Sequence, residues 1–249
     1  MAFGQDEIER YARHLVLREI GGPGQQKLRA AKVLVIGAGG LGGPAALYLA
    51  AAGVGTLGLV DADTVSLSNL QRQILFETSD VGALKTEAAK THLAGLNPHV
   101  AAVSHPLALN AQNARDLVRD YDLVLDGVDD FAVRFAINQA CLDGGTALVS
   151  GAIGRWTGQV AVFQGQPCYR CLVPDIPPEA ETCSAVGVVG ALAGVIGAMM
   201  AMEAIKVITG AGEALIGRLL IYDGLSAEAR TVKLSADPAC PACGGGQNQ

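Results

Sequence analysis

The run Val33-Leu34-Val35-Ile36 feeds directly into Gly37-Ala38-Gly39-Gly40-Leu41-Gly42, and that junction constrains the fold more than any other stretch of the chain. Consecutive apolar residues suit a strand buried on both faces, as in a parallel sheet covered by helices. The glycines allow a tight turn and close approach of a phosphate. An Ala-rich helix from Pro44 to Gly53 would then turn its N-terminal amides and dipole toward that anion. A second strand, Thr56–Val60, ends at Asp61, placed to take ribose hydroxyls. The sequence thus predicts a β-α-β unit with a nucleotide at its mouth. A glycine turn alone also serves packing, and this one does not separate NAD from ATP.

Further along, the pattern predicts strands at Lys32–Ile36, Ala101–Ser104, Leu123–Asp126 and Ala147–Ser150, with helices over Asn110–Arg119 and Phe131–Cys141. Gly158–Phe163 and Leu219–Tyr222 read as antiparallel strands. Residues 5–20 read as a helix broken by Gly21-Gly22-Pro23-Gly24. The expected architecture is one α/β domain over 1–249, Rossmann-like, with a mixed sheet and a zinc-stapled C-terminal extension. Residues 1–30 form a helical arm and 31–150 the nucleotide-binding core. Residues 151–249 carry the antiparallel strands, a Pro- and acid-rich crossover loop at 174–181, a buried helix and a Cys₄ zinc site.

Composition removes several classes of function. Half of the 249 residues are hydrophobic and 17% are charged, ample for a core and against intrinsic disorder. The net charge of -6 gives no basic footprint for nucleic acid. The start, Met1 to Glu7, has no basic region followed by an apolar run, and six cysteines suit a reducing compartment, so a cytoplasmic setting is expected. Ala185 to Met202 is long and apolar enough to raise a membrane span. Gly187, Gly190, Gly194 and Gly197 at helical spacing, with Glu203 and Lys206 directly after, favour a helix buried in the core or between subunits.

Cys168/Cys171 and Cys240/Cys243 form two Cys-x-x-Cys pairs beside turn residues. One pair alone also suits redox chemistry; two complete a tetrahedral thiolate shell, which leaves zinc no open position and makes it a staple. The chemistry must then lie elsewhere. The polar segment Asp61-Ala62-Asp63-Thr64-Val65-Ser66-Leu67-Ser68-Asn69-Leu70-Gln71-Arg72-Gln73 is the natural place, with Lys85 shortly after. Arg72 and Lys85 would bring two cations to a polyphosphate, and Asp129, beyond a later strand, suits a magnesium ion.

Gly-x-Gly-Gly-Leu-Gly, Asp61-x-Asp-x-Val-x-x-Ser-Asn-Leu-x-Arg-Gln, Lys85, the Val124–Asp130 segment, Cys168-Tyr-Arg-Cys171, Thr182-Cys183 and the last Cys-x-x-Cys together resemble the ThiF/MoeB/HesA group. These are relatives of the ubiquitin-activating enzymes, and the likeness, greatest to the MoeB branch, runs from about Tyr11 to Cys243. The resemblance implies a homodimer that adenylates the C-terminal glycine of a small ubiquitin-fold sulfur carrier ending in Gly-Gly. Mg-ATP would be consumed and pyrophosphate released, in molybdenum cofactor synthesis, with a thiamin-pathway carrier as the alternative. It implies that Gly37, Gly39, Gly40 and Gly42 cradle phosphates and that Asp61, with Asp63, serves the ribose side. Asn69, Arg72 and Lys85 would contact the polyphosphate, and Asp129 would bind Mg²⁺ beside Asp130. Arg13 would reach the partner protomer's nucleotide. Cys183 stands where some members carry a cysteine that links covalently to the carrier, and a helix after it would lower its pKa. A separate protein would donate sulfur.

Two departures stand out. Asp130 replaces the asparagine usual in the group, adding a carboxylate that would either join the magnesium or repel the triphosphate. Tyr11-Ala12-Arg13-His14 replaces the usual Tyr-x-Arg-Gln and leaves Arg13 intact. No general base is needed, since a carboxylate is already ionised at neutral pH. His14, His92, His99 and His105 are accordingly read as surface or packing residues, and Cys141 as packing. Outside this group, the alternatives are an NAD(P)-dependent oxidoreductase and a non-catalytic zinc-stapled binding module. The oxidoreductase leaves Arg72, Lys85 and the four paired cysteines without joint purpose, and the binding module is tested by whether pyrophosphate is ever produced.

Overall fold

A computed structural model describes residues 3–176 and 187–244. Eight strands form one sheet in the order β3-β2-β1-β4-β5-β6-β7-β8. They are β1 (Lys32–Ile36), β2 (Thr56–Val60), β3 (Ala101–His105), β4 (Leu123–Asp126), β5 (Ala147–Ile153), β6 (Thr157–Phe163), β7 (Arg218–Asp223) and β8 (Glu228–Lys233). β3, β2, β1, β4 and β5 are parallel, with Val33 beside both Leu57 and Leu123. From β5 outward the pairing is antiparallel. The expected mixed sheet is present.

The parallel half follows from its residues. Val33, Leu34 and Val35 of β1 and Val124 and Leu125 of β4 are buried, because helices cover both faces. One layer packs α3 (Gly21–Ala30), α4 (Gly42–Ala51), α5 (Lys85–Leu96) and the long helix α9 (Gly190–Thr209) over Val33, Val35, Leu57 and Val149. The other packs α6 (Ala114–Val118) and α7 (Phe131–Gly144) over Leu34, Ile36, Val124 and Leu148. Two short helices, α1 (Gln5–Arg10) and α2 (Ala12–Leu15), precede this body, and α8 (Tyr169–Leu172) follows β6.

By length and hydropathy, α9 passes the test for a membrane span. Here it lies in the core, with Leu192, Ala193, Ile196, Met200 and Ala204 buried. Its small residues permit contact with backbone: a Cβ at Gly197 would stand 2.6 Å from the Leu41 carbonyl oxygen. Glu203 is buried on the same helix, paired with Lys206 and accepting the Leu215 amide at 2.8 Å. Residues 185 and 186 of the apolar run lie outside the described residues.

Three expectations need correction. Gly21-Gly22-Pro23-Gly24 opens a helix rather than only ending one, since proline in a first turn has no amide to satisfy. The arm before it is two helices interrupted at Tyr11, whose ring is buried at 4% exposure. The helix foreseen over Asn110–Arg119 is confined to Ala114–Val118. Asn110 Oδ1 takes the amides of Gln112 and Asn113, and Asn113 Oδ1 takes that of Asn110, so side chains compete with helical bonding. The sequence reading had no place for α5, for the short α8 or for the exposed edge strand β8.

Candidate nucleotide site and cysteine cluster

β1 lies between β2 and β4, so the chain's crossovers diverge on either side of it, and the carboxyl ends of these strands flank the crevice where open α/β sheets bind ligands. The glycine loop leaves β1 there. Gly37 has φ +85°, and a Cβ on Gly42, which begins α4, would overlap the Gly37 carbonyl oxygen. Gly42 therefore tightens the turn and is not itself on the cleft wall. Asp61 closes the loop onto β2, accepting the Ala38 amide at 2.9 Å on Oδ2 and the Asp63 amide at 2.9 Å on Oδ1.

Lys85, the first residue of α5, is nearly buried. Its Nζ lies 2.7 Å from Asp63 Oδ2 and 3.8 Å from Asp61 Oδ1. Burial pushes the Asp61 carboxyl above its usual range, opposed by the Asp63 amide, Lys85 and the Ala38 amide. Asn69 ends a single 3-10 turn, Leu67–Asn69, and Arg72 lies just beyond, donating to the Ser68 carbonyl at 3.2 Å. Opposite, the loop Gly127–Asp130 between β4 and α7 carries Asp129, exposed. Asp130 caps α7 by accepting the Val133 amide at 2.9 Å. An aspartate at this position thus has a structural use that its net charge alone does not disclose.

Gly37, Gly39, Gly40, Asp61, Asp63, Asn69, Arg72, Lys85, Asp129 and Asp130 all line one cleft of about 580 Å³. Arg13 is elsewhere, exposed on α2. Cys183 lies outside the described residues. Arg134, outside every motif, also lines the cleft, as do Gln73 and Tyr169, which the motifs contained without giving them a role. Arg134 and Asn138 gave little signal in the sequence: they are a cation and an amide four residues apart in a helix that also carries the exposed Gln139 and Asp143. Asp126, at the end of β4, is completely buried against Arg134 at 3.3 Å. Burial pushes its carboxyl up, against the pull of Arg134, the Val128 amide and Ser150.

The four paired cysteines meet although 72 residues separate Cys168 from Cys240. Cys168 and Cys240 sulfurs are 3.6 Å apart, those of Cys171 and Cys243 are 3.4 Å apart, and all four lie within 4.8 Å of one another. Four sulfurs about 2.3 Å from a tetrahedral zinc stand about 3.8 Å apart, so the cluster fits that ion with little adjustment. The Asp237 amide points at Cys171 Sγ (3.5 Å) and Asn138 Nδ2 at Cys168 Sγ (3.7 Å), the arrangement that supports thiolate ligands. Cys141 is buried in α7, and burial pushes its thiol up to about 12, which leaves it inert packing.

Comparison with known proteins agrees with this geometry. The sequence profile of the ThiF family matches residues 11–242. The chain is 45% identical over 253 aligned positions to a sulfur carrier protein adenylyltransferase of Thermus thermophilus, spanning 98% of this chain and 93% of that one. It is 46% identical to the probable adenylyltransferase/sulfurtransferase MoeZ of Mycobacterium tuberculosis and 49% identical to the adenylyltransferase and sulfurtransferase MOCS3 of Drosophila virilis. It covers 63% and 54% of those longer proteins. Among solved structures, E. coli MccB with MccA-N7isoASN superposes with a TM-score of 0.83 at 22% identity, over 96% of this chain and 75% of MccB. That likeness speaks for the fold. With the profile matched across the glycine loop, the polar segment and all but the last of the four clustered cysteines, the chain belongs to the ThiF family.

Proposed function

We propose that the chain binds Mg-ATP in the cleft and adenylates the C-terminal carboxylate of a small ubiquitin-fold sulfur carrier ending in Gly-Gly, releasing pyrophosphate. One observation carries this reading: the glycine loop, Asp61, Asn69, Arg72, Lys85 and Asp129 converge on a single cleft in a ThiF-family chain. The relatives named as adenylyltransferases support it. Family membership and the two cations on the cleft favour nucleotidyl transfer over the hydride-transfer alternative.

In the proposed reaction a carrier carboxylate oxygen forms a bond to the α-phosphorus of ATP while the α–β phosphoanhydride bond breaks and the electron pair leaves with pyrophosphate. The nucleophile is already ionised, so no histidine is required. Arg72 and Lys85 would face the developing charge. Lys85 now bonds the mostly exposed Asp63; an incoming phosphate would compete with that carboxylate for its ammonium. Asp129 offers an exposed oxygen donor of the kind Mg²⁺ takes, and the ion would offset phosphate charge. Asp61 would face the ribose. The four clustered cysteines would hold zinc as a staple, with no part in the chemistry.

The proposal includes a homodimer. Arg13 is exposed on α2 and does not line this chain's own cleft, and Val16 (78% exposed) and Met202 (58% exposed) leave apolar surface beside α2 and on α9 for a second copy to cover. It also includes a cytoplasmic setting, a separate sulfur donor, and Cys183 as a site of covalent attachment. The molybdenum cofactor carrier is the first substrate to test and the thiamin carrier the second. ATP–pyrophosphate exchange, measured with Mg²⁺ and a panel of Gly-Gly-ended carriers, should depend on one of them. Exchange with none, in protein that binds ATP, overturns the proposal.

A further inference from the structure

Arg134 is a buried cation to which the sequence patterns assigned no role. It sits in the first turn of α7, 5% exposed, and its guanidinium turns back from the helix into the loop before it. It donates to the Val128 carbonyl, to the Gly151 carbonyl at 2.7 Å and to Ser150 Oγ at 3.1 Å, and it lies 3.3 Å from Asp126 Oδ2. Ser150 Oγ in turn donates to Asp126 at 3.0 Å, and the Val128 amide donates to Asp126 Oδ1 at 3.1 Å. The Tyr169 ring closes the remaining side, its centroid 5.7 Å from the guanidinium carbon.

The contacts share a destination. Val128 is held by both its amide and its carbonyl, and two residues later Asp130 is fixed as the cap of α7. Asp129 lies between these two anchors. Among the described residues its carboxylate accepts no hydrogen bond and makes no ion pair within 4 Å, and the cation that acts on it is Arg134 itself, so Arg134 and the backbone on either side govern where it stands. A buried ion pair is a weak source of stability, because apolar side chains of similar volume hold a core as well. Stability therefore does not account for a guanidinium with this many bonds, but placement of the loop does.

We propose that Arg134 is a positioning residue that aims the Asp129 carboxylate into the cleft by holding the Val128 carbonyl. The proposal rests on the reading of Asp129 as the magnesium donor. Lysine cannot replace it: one ammonium cannot span the Val128 and Gly151 carbonyls and Ser150 Oγ in the fixed fork that a guanidinium provides.

The test uses the full chain with Arg134→Lys, and a double variant, Asp126→Asn with Arg134→Met, that removes both buried charges together should the single change fail to fold. Two quantities are measured for each: affinity for ATP in EDTA, and Mn²⁺ affinity of the ATP complex by electron paramagnetic resonance. Displacing a group that orients a metal donor weakens the metal by about 10–100-fold. The expected result is that loss for Mn²⁺ with metal-free ATP affinity changed less than about 2-fold, since Arg134 touches no phosphate-binding residue. Exchange activity should then recover partly at high Mg²⁺. Unchanged Mn²⁺ affinity overturns the proposal, as does an equal loss of both affinities, which marks a merely structural residue. Neither binding measurement needs a carrier. Absence of exchange in the parent chain therefore sinks the adenylation reading while the Mn²⁺ titration still decides the role of Arg134.

Discussion

Replacing Lys85 by methionine removes a charge while keeping most of the side chain's length and volume, which isolates what the ammonium does. Its Nζ is 3.8 Å from Asp61 Oδ1 and 2.7 Å from Asp63 Oδ2. At an effective dielectric of about 20, a pair at the longer distance attracts by about 4 kcal/mol. Much of that is offset, because methionine does not incur the desolvation of a nearly buried ammonium. The Asp63 pair adds only about 0–1 kcal/mol, since that carboxylate is mostly in water. The expected net loss is about 1–2 kcal/mol near neutral pH.

Its pH dependence is the sharper test. Burial holds the folded Asp61 carboxyl above its ordinary 3.8, and Lys85 pulls it back; without the lysine it rises further. A carboxyl raised in the folded state takes up a proton on folding. It therefore weakens the fold above that raised pKa and ceases to do so below the unfolded value. The Lys85→Met penalty should thus be full at neutral pH and shrink as pH falls toward 3.8. Urea denaturation of parent and variant, at neutral pH and again near pH 4, reads the difference directly. A penalty that is constant, or that grows on acidification, refutes the reasoning. In the same variant, carrier-dependent exchange should fall by about 100-fold, the scale of one lost electrostatic donor.

Substitutions at three other positions probe separate parts of the molecule. Gly42→Ala places a methyl on the Gly37 carbonyl oxygen; denaturation should show a loss of about 3 kcal/mol, and calorimetry a parallel loss of ATP affinity. Asp130→Asn should keep the cap on Val133 and stability within about 0.5 kcal/mol, whereas Asp130→Ala should lose about 1 kcal/mol in the same denaturation experiment. Purified protein should carry about one zinc per chain by elemental analysis. Cys240→Ser or a chelator should lower both metal content and melting temperature, and a parent chain that binds no zinc when the metal is supplied would remove the staple.

The parallel half of the sheet was legible because burial on both faces leaves unbroken apolar runs; β1, β2 and β4 occur over the residues their composition indicated. The first outer strands were legible for a similar reason. β8 was not, since Glu228-Ala229-Arg230-Thr231-Val232-Lys233 is exposed throughout and has no alternation for a one-sided core to impose. Helix α5 was hidden by its weak amphipathicity: Lys85 and Thr86 are buried beside Ala88 and Ala89. In the site, the residues on the glycine loop and polar segment were readable because local geometry demands them. Arg134, Asn138 and Tyr169 were not, because their roles exist only once β4, β5, α7 and the cysteine turn are assembled.

The cysteine cluster joins positions 72 residues apart, and this has a consequence for the order of events during synthesis. Residues 32–153 contain the whole parallel half and can pack as their helices emerge, whereas two of the four sulfurs do not exist until residue 243 has been made. Until then the turn at Cys168, after β6, and the tail beyond β8 have no link to each other, although β6 is paired with β5 and β7. Closing so long a loop is slow without a strong reward at its end, and thiolate–metal bonds supply one. On the proposed zinc reading, capture of the metal would be the closing event of maturation, and a cell short of zinc would accumulate chains complete in sequence but unjoined there.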